Sequence, residues 1–491
     1  MLLVLPIIIP LVIAASCLIA LRRIVLHQFL TLAGCIVLLA NAALLFMRVR
    51  HAGYIVLPIG SWPAPFGIVF VCDVFSAMMV FMTALIGLLI AIYSIAGVDA
   101  ARKAHGFYPL VNILLVGVNG AFLTGDLFNL YVWFEVLLIA SFVLMSLGGE
   151  RRQMAGAIKY VTLNLMSSAL FLTAAGILYG KAGTLNMAHL ALAMRESPPE
   201  TLMVVEMLFL TAFGIKAAMF PLFFWLPAAY HTPPVAVTAL FSALLTKVGV
   251  YAIIRVFALV FGHGVEAALP VILVLAGMTM ITGVLGAVDQ YDFRRLLSFH
   301  MVSQIGYLLI GPGLFTPAAM AGAIFFMIHI ILTKTALFLA CGIAGRLNGS
   351  FQLKEMHGLL RASPILAALF LIAAGSLAGV PPLPGFFAKL FLLLAAFSEG
   401  RYALAAVALA VSFLTFFSML KIWNEAFWKT APQPVAPAGP IPFSLLSPLV
   451  VLCALILLLT LFGHPFHEVC RTAAAQLLNS DGYIAAVRLQ L

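Results

Sequence analysis

The sequence predicts an all-α integral membrane protein of about 14 transmembrane helices, two of them discontinuous. Three observations predict it. The 491-residue chain is 64% hydrophobic and only 9% charged, with a mean hydropathy of +1.18, where soluble domains run near about a quarter charged. Apolar runs of about 20 residues, the length that crosses a bilayer as helix, recur from end to end. Prolines interrupt two of those runs, in "FGIKAAMFPLFFWLP" (213–227) and "AGVPPLPGFFAKLFLL" (378–393), each with a lysine beside the break.

In chain order the spans fall at 1–21, 28–47, 68–98, 107–124, 127–147, 156–179, 201–235, 237–260, 267–288, 296–312, 316–344, 364–398, 403–425 and 442–462. The first starts at Met1 with no basic segment and no small-residue cleavage site, so it reads as a span and not as a removable signal. The tail from His464 is too polar to span and reads as an interfacial helix. The broken spans, 201–235 and 364–398, occupy comparable places in successive blocks of about five spans, the pattern of inverted repeats around a midplane ion pathway. The chain then divides into an N-terminal three-helix segment (1–98), a first repeat (99–262), a second repeat (263–428), and a last span with its polar tail (429–491).

The net charge of +10 lies mostly in the connections. Loops after odd-numbered spans carry Arg22, Arg23, Arg102, Lys103, Arg151, Arg152, Arg294, Arg295, Arg346, Lys354, Arg361, Lys421 and Lys429. Loops after even-numbered spans carry Arg48, Arg50, Lys181, Arg195, Arg255 and Arg401. The positive-inside rule places the first set in the cytoplasm and both termini outside a cell membrane. No basic stripe with interleaved aromatics points to nucleic acid. The cysteines at 17, 35, 72, 341, 453 and 470 form no C-x-x-C pair, which argues against an iron–sulfur cluster, a zinc site or a disulfide framework. They read as small hydrophobes. No G-x-G-x-x-G opens a helix after a strand and no histidine pair on adjacent spans suits haem, so no cofactor or metal is expected.

The ionisable residues within spans are Asp73, Glu135, Glu206, Lys216, Lys247, His300, His329, Lys334 and Lys389. Each costs at least about 2.5 kcal/mol near a helix centre, so each needs a partner or a task. Asp73 and Glu206 lie nearer span ends, where simply reaching water competes with an interior role. His300 follows "DFRRLLSFH" and reads as close to the cytoplasmic surface. Lys334 has a structural alternative, pairing with a carbonyl or an acid. Glu135, Lys216, Lys247 and Lys389 lie too deep for easy snorkelling. A lysine in apolar surroundings loses the hydration that favours its charged form, and a nearby carboxylate restores it. A Glu–Lys pair beside a second lysine therefore works as a proton switch, and chains of buried acids and bases are the usual material of proton relays. The proline breaks at Pro221 and Pro227, and at Pro381, Pro382, Pro384 and Gly385, free backbone carbonyls that are tolerated only where protein or water satisfies them.

The segments "GDLFNLYVWFEVLLIASFVLMSL" (125–147), "GIKAAMFPLFFWLPAAYHTPPVAVTALFSALLTKVGVYAIIR" (214–255) and "IHIILTKTALFLACG" (328–342) resemble the antiporter-like subunits of respiratory complex I and of Mrp-type multisubunit Na+/H+ antiporters, the D-subunit family above all. The resemblance covers nearly the whole chain. It implies a fold of 14 transmembrane helices in which spans four to eight and nine to thirteen are inverted five-helix repeats, with spans seven and twelve discontinuous. It places the family's helix-five glutamate on Glu135, the helix-seven and helix-eight lysines on Lys216 and Lys247, the helix-eleven pair on His329 and Lys334, and the helix-twelve lysine on Lys389. Asp73 resembles a helix-three aspartate pattern. One of the complex I subunits typically carries glutamate at the helix-twelve position, which Lys389 disfavours here.

The leading expectation is a proton-translocating subunit, not itself an enzyme, that acts with partner subunits in lipid and exchanges protons for a monovalent cation, Na+. The competing readings are a pumping subunit of a redox-driven dehydrogenase or hydrogenase, and a purely structural membrane subunit. The expected route runs from a Glu135–Lys216 ion pair to Lys247, through His329 and Lys334, and out by Lys389. Thr333 lies one turn from His329 on the same face and is placed to hold a bridging water. Lys334 is about 140° round the helix from His329, so the two serve different contacts.

Overall fold

The computed structural model describes residues 1–20, 23–60, 62, 66–196, 198–262, 264–430 and 440–488. Arg22 lies outside the described residues. Helices α1 (Leu5–Ile19) and α2 (Ile24–Ala52) lead into a hairpin of β1 (Ile55–Pro58) and β2 (Val69–Cys72), and then into α3 (Val74–Gly97). The short α4 (Ala100–Ala104) precedes α5 (Phe107–Leu123), α6 (Leu127–Ser146), α7 (Arg151–Ala182) and the short α8 (Met187–Arg195). A broken helix follows, α9 (Pro199–Ala217) and α10 (Trp225–Ala229). Next come α11 (Val235–Leu259), α12 (Leu269–Asp289), α13 (Phe293–Leu314) and α14 (Pro317–Asn348). After α15 (Leu359–Ala362) stands the second broken helix, α16 (Pro364–Ala378) and α17 (Pro384–Ser398). The chain closes with α18 (Tyr402–Ile422), extended by a π-helical turn over Trp423–Trp428, then α19 (Phe443–Leu461), α20 (Gly463–Leu478) and α21 (Ser480–Arg488).

The protein is all-helical apart from the one hairpin found among the described residues. Among those residues nine helices are long and apolar enough to cross a membrane: α2, α3, α6, α7, α11, α12, α14, α18 and α19. Helices α1, α5, α16 and α17 are apolar but shorter. The most apolar stretches of α11 and α14 are wholly buried. These two helices pack on each other and form the axis around which the rest is arranged.

The hairpin corrects the expected third span, which starts at 68. Val69–Cys72 is extended and pairs antiparallel with β1, Ile55 opposite Cys72. Four residues rich in β-branched side chains suit a strand, but no periodicity separates so short a strand from the apolar helix that follows. Asp73 sets the boundary: its Oδ1 accepts the Ser76 amide at 2.8 Å and caps α3.

The connections sort into two groups by contact. Arg102 of the loop after α3 pairs with Asp99 and with Glu150 before α7, both at 2.6 Å. Asp292 before α13 bridges to Gln352 after α14, and Lys421 at the end of α18 donates to the carbonyls of Val288 and Gln290. On the other side, Asp126 bridges to Asn186, and Arg195 pairs with Asp481 of the tail.

The tail packs on the rest of the protein as two amphipathic helices. The apolar faces of α20 (Cys470, Ala473, Ala474, Leu477) and α21 (Tyr483, Ile484, Val487) are buried against the protein, with α20 packed on α14. Gln476 holds it there, accepting the Val74 amide at 3.0 Å and donating to the Gly53 carbonyl at 2.8 Å.

Candidate functional site

The two broken helices end in the same way. In the first, the Met219 amide donates to Gly214 and the Ala218 amide to Ile215; in the second, Val380 donates to Gly375 and Gly379 to Ser376. This is the Schellman closure of a helix C-terminus, with its left-handed residue supplied by Ala218 (φ 64°) and by Gly379 (φ 86°). Glycine adopts that conformation freely; alanine does so at a cost of about 1–2 kcal/mol. The peptide bonds Phe220–Pro221 and Pro381–Pro382 are cis. The proline assignment needs correction in part. Pro221, Pro381 and Pro382 lie in the gaps, but Pro227 sits inside the short α10. Pro384 opens α17 and Gly385 follows it. A proline in the first helical turn loses no backbone bond, so these residues start helices rather than break them.

A helix end leaves its last carbonyls without partners and carries partial negative charge, which suits a cation. Lys216 lies in the last turn of α9, where the Trp225 indole also donates to the Ile215 carbonyl at 3.0 Å. Lys389, on α17, reaches back across the second gap and donates to the Ala378 carbonyl at 3.0 Å and to Ser412 Oγ at 2.9 Å. Each half of the protein therefore places a buried lysine at its break, Lys216 in the last turn before the first gap and Lys389 reaching back across the second.

Glu135 of α6 and Lys216 do not touch directly. Ser168 of α7 stands between them: its hydroxyl donates to Glu135 Oε1 and accepts from Lys216 Nζ at 3.3 Å. The expected ion pair is a serine-bridged triad in this structure. Lys216 is buried, with its ammonium 4.8 Å from the centre of the Phe134 ring, whereas Glu135 is half-buried. The Lys216 turn lies directly on α11 because Gly249 has no side chain; a Cβ there would come within 2.6 Å of the Ala217 nitrogen. Lys247, two residues before Gly249, donates to the Ser242 carbonyl at 2.6 Å.

On α14 the two expected residues part company, as their angular separation requires. Lys334 points to α13 and donates to the Leu297 carbonyl at 3.2 Å. His329 Nε2 meets Ser376 Oγ of α16 at 2.8 Å and Thr333 Oγ1 at 3.0 Å. Lys247, Lys334 and Lys389 are all buried, and no carboxylate pairs with any of them among the described residues.

The structure decides two residues left open, Asp73 and Glu206, and moves two others, Arg255 and His300, inward from where the sequence placed them. Asp73 does not reach water; it is buried and paired with Arg255. Arg255, counted as a loop charge, is buried within α11. Glu206 is also buried, and neither carboxylate oxygen has a partner. His300 is fully buried rather than close to the surface. Sequence reasoning also missed Lys159, on the exposed side of α7, and the hydroxyls of Ser168, Ser376 and Ser412. A lone serine in an apolar helix is too common a feature to mark a site. Arg255 does carry a signal: it lies four residues from Tyr251 on one helical face.

Four likenesses bear on this geometry. Residues 124–417 match the family described as NADH:quinone oxidoreductase/Mrp antiporter, transmembrane. The chain belongs to that family. The D subunit of an Na(+)/H(+) antiporter from Alkalihalophilus pseudofirmus is 44% identical over 487 residues, covering 99% of both chains. In the structure of the Mrp complex from Dietzia sp. DQ12-45-1b, one chain superposes with a TM-score of 0.93 at 36% identity, with 99% of each chain covered. A chain of respiratory complex I from Thermus thermophilus superposes with a TM-score of 0.85 at 25% identity, over 98% of this chain and 100% of that one. The family's shared segment runs from Thr124 to Phe417 and includes both broken helices and every candidate residue except Asp73. This is a multi-pass membrane protein of an antiporter family and not a catalytic enzyme.

Proposed function

We propose that the chain is the proton-translocating membrane subunit of a multisubunit Na+/H+ antiporter in the plasma membrane, working with the other subunits of such a complex. One observation carries the reading: Lys247, Lys334 and Lys389 are buried within the helical bundle, and among the described residues no carboxylate pairs with any of them. A cation in that position is costly unless it exchanges its proton. The full-length likeness to the D subunit of an Na(+)/H(+) antiporter favours cation exchange over redox-driven pumping.

The chain crosses the membrane fourteen times in this reading. Residues 99–262 and 263–428 are the inverted repeats, between the N-terminal segment 1–98 and the last crossing with its tail, 429–491. Both termini lie outside. The grouping of the loops by contact supports the alternation, since Asp99, Glu150, Asp292, Gln352 and Lys421 fall in one set of connections and Asn186, Arg195 and Asp481 in the other.

Protons move along a line from Glu135 and Lys216, through Ser168, to Lys247, then to Lys334 and Lys389, with His329 and Thr333 on the α16 side. In the resting arrangement Ser168 holds Glu135 and Lys216 apart. Closing that gap stabilises the Lys216 ammonium and withdraws it from Lys247; opening it releases a proton onward. The end of the second broken helix supplies the Ala378 carbonyl that steadies the Lys389 ammonium. The test is Na+-driven proton flux in everted membrane vesicles carrying the whole complex. Lys247→Ala and Lys389→Ala are each expected to stop both proton and Na+ movement; normal flux in both variants sinks the reading.

A further inference from the structure

We propose that His300, with Gln304 one turn on, is a proton-carrying link between Lys334 and Lys389. This rests on the conduction line above and adds α13 to it. Leu297, His300, Gln304 and Tyr307 follow one another along α13 at spacings of three, four and three residues, so they share one helical face. That face looks onto α14, where the Tyr307 ring stacks on Phe326 at 5.4 Å. At one end the Leu297 carbonyl accepts the Lys334 ammonium at 3.2 Å. At the other the Lys389 ammonium lies 5.3 Å from the centre of the Tyr307 ring.

His300 and Gln304 occupy the interval. They are 0% and 1% exposed, yet among the described residues neither ring nitrogen of His300 and neither amide atom of Gln304 has a hydrogen-bond partner, and the neighbouring Ser303 hydroxyl has none either. Buried polar atoms without a protein partner are costly unless something else satisfies them, so a cluster of this kind is a place for bridging water. Leu297 and Tyr307 stand ten residues, about 15 Å, apart along α13, and direct exchange between two ammonium groups needs hydrogen-bond contact, which the structure does not give Lys334 and Lys389. An imidazole within the interval, nearer the Lys334 end, shortens the transfer. It takes a proton on one ring nitrogen from the Lys334 side and releases the proton of the other nitrogen toward Lys389, and the ring ends neutral in the alternate tautomer. Gln304 carries no proton; it orients water between the ring and Tyr307. His329 does not fill this place, because its Nε2 is held by Ser376 and Thr333.

The charged groups that face His300 are Lys334 from α14, Lys389 from α17 and Lys421 from α18. Lys247 of α11 stands beyond Lys334. Helix α10 brings no titratable side chain, and α12 brings only Asp289 at its exposed end.

The experiment is Na+-driven proton flux across a pH series in everted vesicles carrying the whole complex, for wild type, His300→Gln and Lys389→Ala. Glutamine keeps polarity and bulk but cannot carry a proton. His300→Gln is expected to lower flux about tenfold or more with a normal amount of assembled complex, and to displace the flux–pH curve. If Lys389→Ala stops flux while His300→Gln keeps wild-type flux and an unchanged pH curve, the link through α13 is overturned and the conduction line stands. If Lys389→Ala also runs normally, the conduction line itself fails. Should His300→Gln not assemble, Gln304→Leu carries the test: a loss of about threefold or more supports the link, and wild-type flux overturns it.

Discussion

Arg255 grips Asp73 with two parallel hydrogen bonds, Nη1 to Oδ2 at 2.6 Å and Nη2 to Oδ1 at 2.9 Å, deep in the protein. The same guanidinium also donates to Ser76 Oγ and to the Tyr251 hydroxyl, both at 3.1 Å, and lies 5.8 Å from the centre of the Tyr483 ring. Every polar atom of the pair is occupied. The arrangement therefore fastens α3 to α11 and leaves little room for Asp73 to act as a proton carrier.

Asp73→Leu leaves a buried guanidinium without its counter-charge and is expected to destabilise the protein by about 3–5 kcal/mol. Heating the detergent-solubilised complex and following the folded fraction by size exclusion checks it. Replacing both partners together, Asp73→Leu with Arg255→Met, is expected to cost less than Asp73→Leu alone. A double variant that melts lower than the single one contradicts this account.

Ser168 carries the contact between Glu135 and Lys216, so Ser168→Ala is expected to reduce Na+-driven proton flux about tenfold while the complex still assembles. Glu135→Gln and Lys216→Ala are each expected to abolish flux. Immunoblots of the membranes set the amount of complex. Unchanged flux in Ser168→Ala shows that the hydroxyl only fills space.

Lys389→Arg keeps a positive charge but fixes it, since a guanidinium does not release its proton in proteins. Turnover is expected to stop without loss of assembly. Proton flux at the wild-type rate in this variant excludes a titrating Lys389.

Gly385→Ala tests the second break. A Cβ at Gly385 would lie 1.7 Å from the Ser376 carbonyl oxygen and 3.0 Å from His329 Cε1. Backbone must move, and both ends of the gap move with it. The expected result is loss of flux together with a lowered melting temperature, read in the same vesicles and the same detergent extract. Gly463→Ala, where nothing lies within 4 Å of the added carbon, is expected to change neither.

Single cysteines placed in the loops 99–106, 148–155 and 289–295 of a cysteine-free background are expected to resist a membrane-impermeant thiol reagent in intact cells and to react in everted vesicles. Labelling from outside the cell reverses the proposed orientation.

Much of this was legible because membranes make rules strict. Apolar length marked the long apolar helices such as α2, α3, α11 and α14, and a lysine within an apolar run marked Lys216, Lys247, Lys334 and Lys389 as the buried cations, since few other residues cost so much to bury. The 140° offset of Lys334 from His329 correctly separated their contacts. What the sequence hid is tertiary. Arg255 looked like a loop charge because it stands near the end of a span, and only the partner on α3 explains its burial. His300 was assigned to the surface from its nearness to two arginines, although two helical turns are enough to carry a side chain well below it. Val69–Cys72 passed for helix because a run of four apolar residues has no period of its own. The serine between Glu135 and Lys216 lies on a third helix, which no spacing along the chain connects to either.

The tail that covers Arg255 also sets an order of events. Tyr483 and Gln476, which close over the Asp73 region, leave the ribosome only after nearly all of the chain has been inserted. Until then the first and second parts of the bundle hold a charged pair that is still open at one side. Tyr483 and Gln476 act as a latch on that pair, and a chain cut short before them loses the contacts that close it.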